Sequence, residues 1–168
     1  MGLDGTTLIW SPRSNVTLYG DTAQVTTAAA LGVRIALGTD WVPTGSMNML
    51  RELACADELN QTYYDGYFTD EQLWLMATYN AAQAMAVDDV LGRLAPGLVA
   101  DMASYSGAVN TRNRAILEAQ PEDVVLVLRG GKPLYGDAAV VDGATADSCD
   151  VIDVCGTSKQ VCAMSEVG

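Results

Sequence analysis

The chain has 168 residues, a formal net charge of −12, 49% hydrophobic and 18% charged residues, and no histidine. That size and apolar content fit a packed globular chain, and a disordered one is excluded. The acidity argues against nucleic acid as a partner, because phosphate binding wants a basic face.

No apolar run approaches the roughly 20 residues that span a bilayer. Met1-Gly2-Leu3-Asp4-Gly5 lacks the basic segment and apolar stretch of a secretory leader. Thr6 to Trp10 reads as a short buried strand that ends at Ser11-Pro12, since proline removes a ladder donor. A loop, Arg13 to Gly20, is expected next. Asp21 then caps a helix, with Gln24 as its capping-box partner and Gly32 as its stop. Val33 to Leu37 is the following strand. Strand, helix and strand in this short space make a βαβ unit with parallel strands.

Parallel neighbours end on the same side of a sheet. The loop carrying Arg13, Ser14 and Asn15 therefore meets Asp40 on one rim, and sites in α/β sheets and barrels form on that carboxyl-end rim. Asp40 closes the run Val33-Arg34-Ile35-Ala36-Leu37-Gly38-Thr39-Asp40. A lone carboxylate where a strand stops is a site candidate.

Trp41 to Gly45 reads as a loop. Ser46 is expected to cap a helix running to about Asn60, with Met49, Leu50, Leu53 and Ala56 inward. Tyr63 to Tyr67 is a polar aromatic loop. Thr69 and Gln72 form a capping box for a helix ending near Val87, with Leu73, Met76, Ala77 and Ala81 on its apolar side. The texture changes near residue 90. Leu91 to Gly97 is turn-rich, Ala100 to Tyr105 and Val124 to Leu128 read as strands, and Gly130-Gly131 turns the chain into a returning strand at Lys132 to Tyr135. The organisation expected is 1–90 alternating strands and helices, 91–142 a small β module, and 143–168 a cysteine-containing tail of weak periodicity held only by disulfide chemistry.

Cys149, Cys155 and Cys162 lie in that tail, and Cys55 in a helical pattern. The tail spacings match no common zinc pattern. One disulfide among the three is expected, and it points to an oxidising, extracytoplasmic compartment.

Four segments, in this order, carry a resemblance: Trp10-Ser11-Pro12-Arg13-Ser14-Asn15, Leu37-Gly38-Thr39-Asp40, Ala77-Thr78-Tyr79-Asn80-Ala81-Ala82, and Gly92 to Asp101. Together they resemble the closing elements of amidohydrolase-superfamily enzymes over about residues 6–137. The stretch Trp41 to Leu50 resembles a branch near the cyclic-amide hydrolases, imidazolonepropionase-like, and the aminohydrolase deaminases. The resemblance implies an α/β fold: the last two strands and helices of a (β/α)8 TIM barrel, then part of a small β-sandwich. It implies a metal-dependent hydrolase acting on non-peptide C–N bonds of a small-molecule substrate, with zinc, or sometimes iron. The aspartate matching Asp40 binds the metal and moves the proton from attacking water to leaving nitrogen. Ser14 and Asn15 match loop positions that face the substrate, and the pattern at Asn80 is structural; Trp41, which follows the key aspartate, is expected either to wall the pocket on the substrate side or to serve packing.

The departure from the family pattern is large. Its other ligands are histidines on earlier strands, and this chain has none. A whole barrel needs about 250 residues. The expectation is a sequence that begins near the seventh barrel strand, inactive alone, whose site is completed by a missing N-terminal half, by a second polypeptide or in a homo-oligomer. The alternative expectation is a non-catalytic extracytoplasmic binding or structural module.

Overall fold

Strand β1 (Thr7–Trp10) and strand β2 (Arg34–Leu37) lie side by side in parallel, with Thr7 opposite Arg34 and Trp10 opposite Leu37. The computed structural model describes residues 5–162. It divides into two units, Met1–Arg93 and Leu94–Gly168.

In the first unit, the connection between the strands differs from the sequence expectation. Pro12–Tyr19 is a helix, α1, where a loop was expected. Proline stands at its first position, where the missing N–H costs nothing and the fixed φ favours the helix. Gly20 ends it in the left-handed conformation at φ 65°. The next helix, α2, is only Val25–Ala30. Asp21 does not cap it; its carboxylate accepts the Thr22 amide next door, and Gln24 makes no side-chain cap.

Helix α3 is Met49–Thr62, and its cap is Asn48 rather than Ser46: Asn48 Oδ1 accepts the Arg51 amide at 3.0 Å. Leu53 and Ala56 are buried, as their spacing predicts. Helix α4 (Asp70–Ala77) opens on the expected Thr69–Gln72 capping box. The chain breaks at Thr78 and resumes as α5 (Tyr79–Ala84), so one expected helix is two.

Both α4 and α5 pack on β2, whose Ile35, Ala36 and Leu37 are buried. Continuous burial is what a parallel strand covered on both faces requires. Asn80 Nδ2 donates to the Ile35 carbonyl at 2.8 Å. This satisfies a strand-edge acceptor and gives Asn80 a structural role. Among the described residues, no third strand pairs with β1 or β2.

The second unit is built on one antiparallel sheet of order β3-β4-β5-β7-β6: β3 Met102–Tyr105, β4 Val124–Arg129, β5 Lys132–Asp137, β6 Asp150–Val154 and β7 Thr157–Val161. Helix α6 is Arg112–Leu117 and helix α7 is Ala138–Ala144. Gly130 and Gly131, both at positive φ, turn β4 into β5. A two-residue loop needs that backbone to match strand twist.

The tail is not held by sulfur alone. Its β7 pairs with β5 from Tyr135–Val161 to Asp137–Lys159. Lys159 is fully buried and donates to the Val124 and Glu122 carbonyls at 2.8 and 2.6 Å and to the Asp137 carboxylate. A Cys149–Cys162 disulfide ties the start of β6 to the end of β7, while Cys155 and Cys55 are free.

Candidate active site at the strand rim

Trp10 ends β1 and Leu37 ends β2, and Gly38 N–H extends the ladder by one bond to the Trp10 carbonyl, at 2.9 Å. Both chains then leave the sheet on the same side. One enters α1. The other reaches Asp40, whose φ of 55° is left-handed. Aspartate tolerates that region better than most residues, and an outlier of this kind is often held in place at functional sites.

The loop after Asp40 folds back on itself. Thr44 and Gly45 N–H donate to the Trp41 carbonyl at 3.0 and 2.7 Å, and Ser46 N–H donates to the Thr39 carbonyl at 3.0 Å. Only glycine fits at position 45, because a Cβ there would stand 1.9 Å from the Thr39 oxygen.

The rim contact expected from strand direction is present. Ser14, in the first turn of α1 and 1% exposed, donates from Oγ to Asp40 Oδ2 at 2.6 Å. Thr44 Oγ1 lies 3.3 Å from the same hydroxyl. Asp40 itself is exposed, and among the described residues its Oδ1 accepts no hydrogen bond. A carboxylate with one oxygen held and one open is suited to taking and giving a proton.

Asn15 points elsewhere in this network: its Oδ1 accepts the Ala23 amide at 3.4 Å, which steadies the chain before α2. The Trp41 side chain is 68% exposed, while its carbonyl holds the loop turn. Arg13 Nε donates to Ser46 Oγ at 3.0 Å, and Arg13 N–H donates to Glu52 Oε1 at 3.2 Å.

Glu52, Ser46 and Thr44 had no site role in the sequence reading. Glu52 is fully buried on α3, and its Oε2 has no hydrogen-bond partner. Burial pushes its carboxyl above the ordinary range. The Ser46 hydroxyl and the Arg13 amide and charge oppose that shift, and the Asp40 charge adds to it. One signal was available: Glu52 falls on the Met49–Leu53–Ala56 stripe, where a carboxylate is out of place.

Asp40 offers one carboxylate with two hydroxyls beside it. Among the described residues, no three His, Cys, Asp or Glu side chains gather to hold an ion. Zinc takes four ligands, or three and a water. The described residues do not fit zinc on their own.

The family model named Amidohydrolase family matches residues 3–134. The chain belongs to the amidohydrolase family. It is 28% identical over 148 residues to a 5-methylthioadenosine/S-adenosylhomocysteine deaminase of Caldicellulosiruptor saccharolyticus, covering 82% of this chain and 34% of that protein. A deaminase of the same name from Teredinibacter turnerae is 35% identical over 101 residues, covering 58% of this chain and 23% of the relative. The chain thus spans about a third or less of the length of such relatives.

Among solved structures, an adenosine deaminase from Xanthomonas campestris with bound zinc superposes at TM-score 0.68 and 20% identity, over 76% of this chain and 31% of that one. Escherichia coli guanine deaminase gives 0.67 at 20% identity, over 80% and 35%. At such identity the likeness establishes the fold, which is an α/β fold related to the TIM barrel. No helix among the described residues is long and apolar enough to cross a membrane.

Proposed function

We propose that this chain supplies the Asp40 rim of an amidohydrolase active site that hydrolyses a non-peptide C–N bond. The carrying observation is the 2.6 Å Ser14–Asp40 contact at the carboxyl ends of two parallel strands. In this reading residues 1–90 are the last two strands and helices of a (β/α)8 barrel, and the antiparallel sheet of the second unit, to which the cysteine-containing segment 143–168 contributes β6 and β7, is part of a β-sandwich. Among the described residues no further strand pairs with β1 or β2, which supports it, since an open parallel pair is a poor fold by itself.

Asp40 accepts a proton from the attacking water and returns it to the departing nitrogen. Ser14 holds the carboxylate in register. Trp41 borders the substrate, whereas Asn15, whose Oδ1 accepts the Ala23 amide, steadies the chain before α2. The relatives named as deaminases favour an aminated ring, such as an adenosine-like base, over a cyclic amide. A divalent ion, zinc before iron, needs donors beyond those described, from another stretch of polypeptide or another subunit.

The test uses the protein tagged at its carboxyl end and recovered from its own cells. Ammonia release from an aminated purine nucleoside is expected, falling at least about 1000-fold in Asp40→Asn, the upper part of the range for losing an acid–base group together with a donor. Full activity in that variant would sink the proposal. The 168-residue chain by itself, given zinc, is expected to show no turnover.

The Cys149–Cys162 bridge favours a second reading, a non-catalytic module of an oxidising, extracytoplasmic compartment. Thiol titration of the protein from its own cells decides it: a fully reduced pair excludes that compartment.

A further inference from the structure

Helix α1 begins without a side-chain cap. Ser11 stands at the cap position and makes none, and Pro12 has no N–H to offer. The first amide that needs an acceptor is that of Arg13. The acceptor comes from 39 residues away: Glu52 Oε1 on α3, at 3.2 Å.

That contact belongs to a closed ring. Arg13 Nε donates to Ser46 Oγ, and Ser46 N–H donates to the Thr39 carbonyl. Thr39 precedes Asp40, and Asp40 accepts from Ser14, the residue after Arg13. Each arm of the rim is therefore tied to the other twice, once through Ser14 and once through Arg13 and Ser46. Glu52 secures the α1 arm from behind. It is 0% exposed, and its Oε2 is left without a partner. A carboxylate buried this way carries a desolvation cost that an apolar residue would avoid. Packing alone does not account for it, whereas its hydrogen bond to the rim does.

We propose that Glu52 is a positioning residue: it caps the first turn of α1 from α3 and so sets Ser14 against Asp40. This rests on the reading of Asp40 as the reacting carboxylate. Glu52 touches no substrate, since it is fully buried.

The test is made by NMR on the labelled 168-residue chain, in the wild type and in Glu52→Ala, Glu52→Gln and Glu52→Asp. Hydrogen exchange at the Arg13 amide is compared with exchange at Leu73 and Ala82, buried residues whose amides donate to the Thr69 and Thr78 carbonyls at 3.1 and 3.0 Å and which report global opening. The Asp40 carboxyl carbon resonance at pH 7 reports its hydrogen bonding. In Glu52→Ala, Arg13 exchange is expected to rise about tenfold beyond any rise at Leu73 and Ala82, the effect of losing one ordinary hydrogen bond. The Asp40 resonance is expected to move in the direction seen in Ser14→Ala.

Glu52→Gln keeps an acceptor of the same reach and is expected to restore both signals. If Glu52→Ala does not fold, Glu52→Asp decides. It keeps the charge but withdraws the oxygen by one methylene, and it is expected to behave like the loss of the cap. Arg13 exchange that rises only in step with Leu73 and Ala82 overturns the proposal, as does an unmoved Asp40 resonance. These signals need no turnover. A failure here leaves the Asp40→Asn activity test standing, and a failure there leaves these signals unchanged.

Discussion

Replacing Gly45 with alanine places a methyl group where the rim loop has no room. The new carbon would stand 1.9 Å from the Thr39 carbonyl oxygen and 3.2 Å from that of Trp41. Both are backbone atoms, so no side chain can swing aside. Relief requires the 39–46 loop to open. Opening loses the bond from Ser46 N–H to Thr39 at 3.0 Å and that from Gly45 N–H to Trp41 at 2.7 Å. Each contributes about 1 kcal/mol net. Alanine returns about 0.5 kcal/mol by restricting the unfolded chain. The balance is a loss of about 1.5 kcal/mol. In a domain of up to 100 residues each kcal/mol moves Tm by about 4–8 °C, so a fall of roughly 6–12 °C is expected for the first unit. Thermal unfolding followed by circular dichroism or calorimetry on the full chain measures it. Gly143→Ala is the control, since nothing lies within 4 Å of a Cβ there, within α7; it is expected to be neutral or to gain up to about 1 kcal/mol. If Gly45→Ala melts with the wild type, the loop is not closed as described, and the account of how Asp40 is presented fails.

Glu52 makes stability depend on pH with a definite sign. Its folded carboxyl titrates above its unfolded one because of burial, so its contribution is complete below about pH 4.3 and is lost as pH rises through the folded value. The stability difference between wild type and Glu52→Gln is therefore expected to shift in favour of glutamine between pH 4 and pH 7. Urea titrations at the two pH values read this, and a shift the other way refutes it. Reducing the Cys149–Cys162 bridge, which links residues 13 apart, is expected to destabilise the second unit by about 3 kcal/mol. Denaturant midpoints with and without dithiothreitol measure the loss, and an unchanged midpoint contradicts it. Lys159→Met removes three hydrogen bonds from a fully buried ammonium and leaves the Asp137 carboxylate without that partner. The expected cost is about 3 kcal/mol, read from the same titrations, and a variant as stable as the wild type would show the buried lysine to be dispensable.

The parts of the fold that sequence reading captured are those governed by neighbouring residues. The parallel pairing of β1 and β2 follows from a short crossover. The Thr69–Gln72 capping box and the Gly130-Gly131 turn are specified within four residues. Pro12 shows how a local rule misleads when applied at the wrong boundary. Proline does stop β1, but it also starts α1, and reading only the first effect leaves a loop where the chain is helical. Strand β7 shows a different limit. Thr157-Ser158-Lys159-Gln160-Val161 has no apolar alternation, because its inward lysine is satisfied by carbonyls and a carboxylate that only the folded sheet assembles.

The same distinction separates the two halves of the candidate site. Asp40 and Ser14 were legible because strand direction alone brings them to one rim, and the 2.6 Å contact follows from that topology. Glu52 was not, because its significance lies in a bond to an amide 39 residues earlier, across two helices that the sequence does not orient. Only its misfit on an apolar stripe was visible. A buried carboxylate with one unpartnered oxygen therefore marks where this fold trades local stability for the placement of a distant side chain. If that trade is made for the rim, relieving it by Glu52→Leu should stabilise the helix packing of α3 while loosening Arg13 and Ser14. An apolar replacement that tightens both would show that the rim is held by Ser14, Ser46 and the Gly45 turn alone.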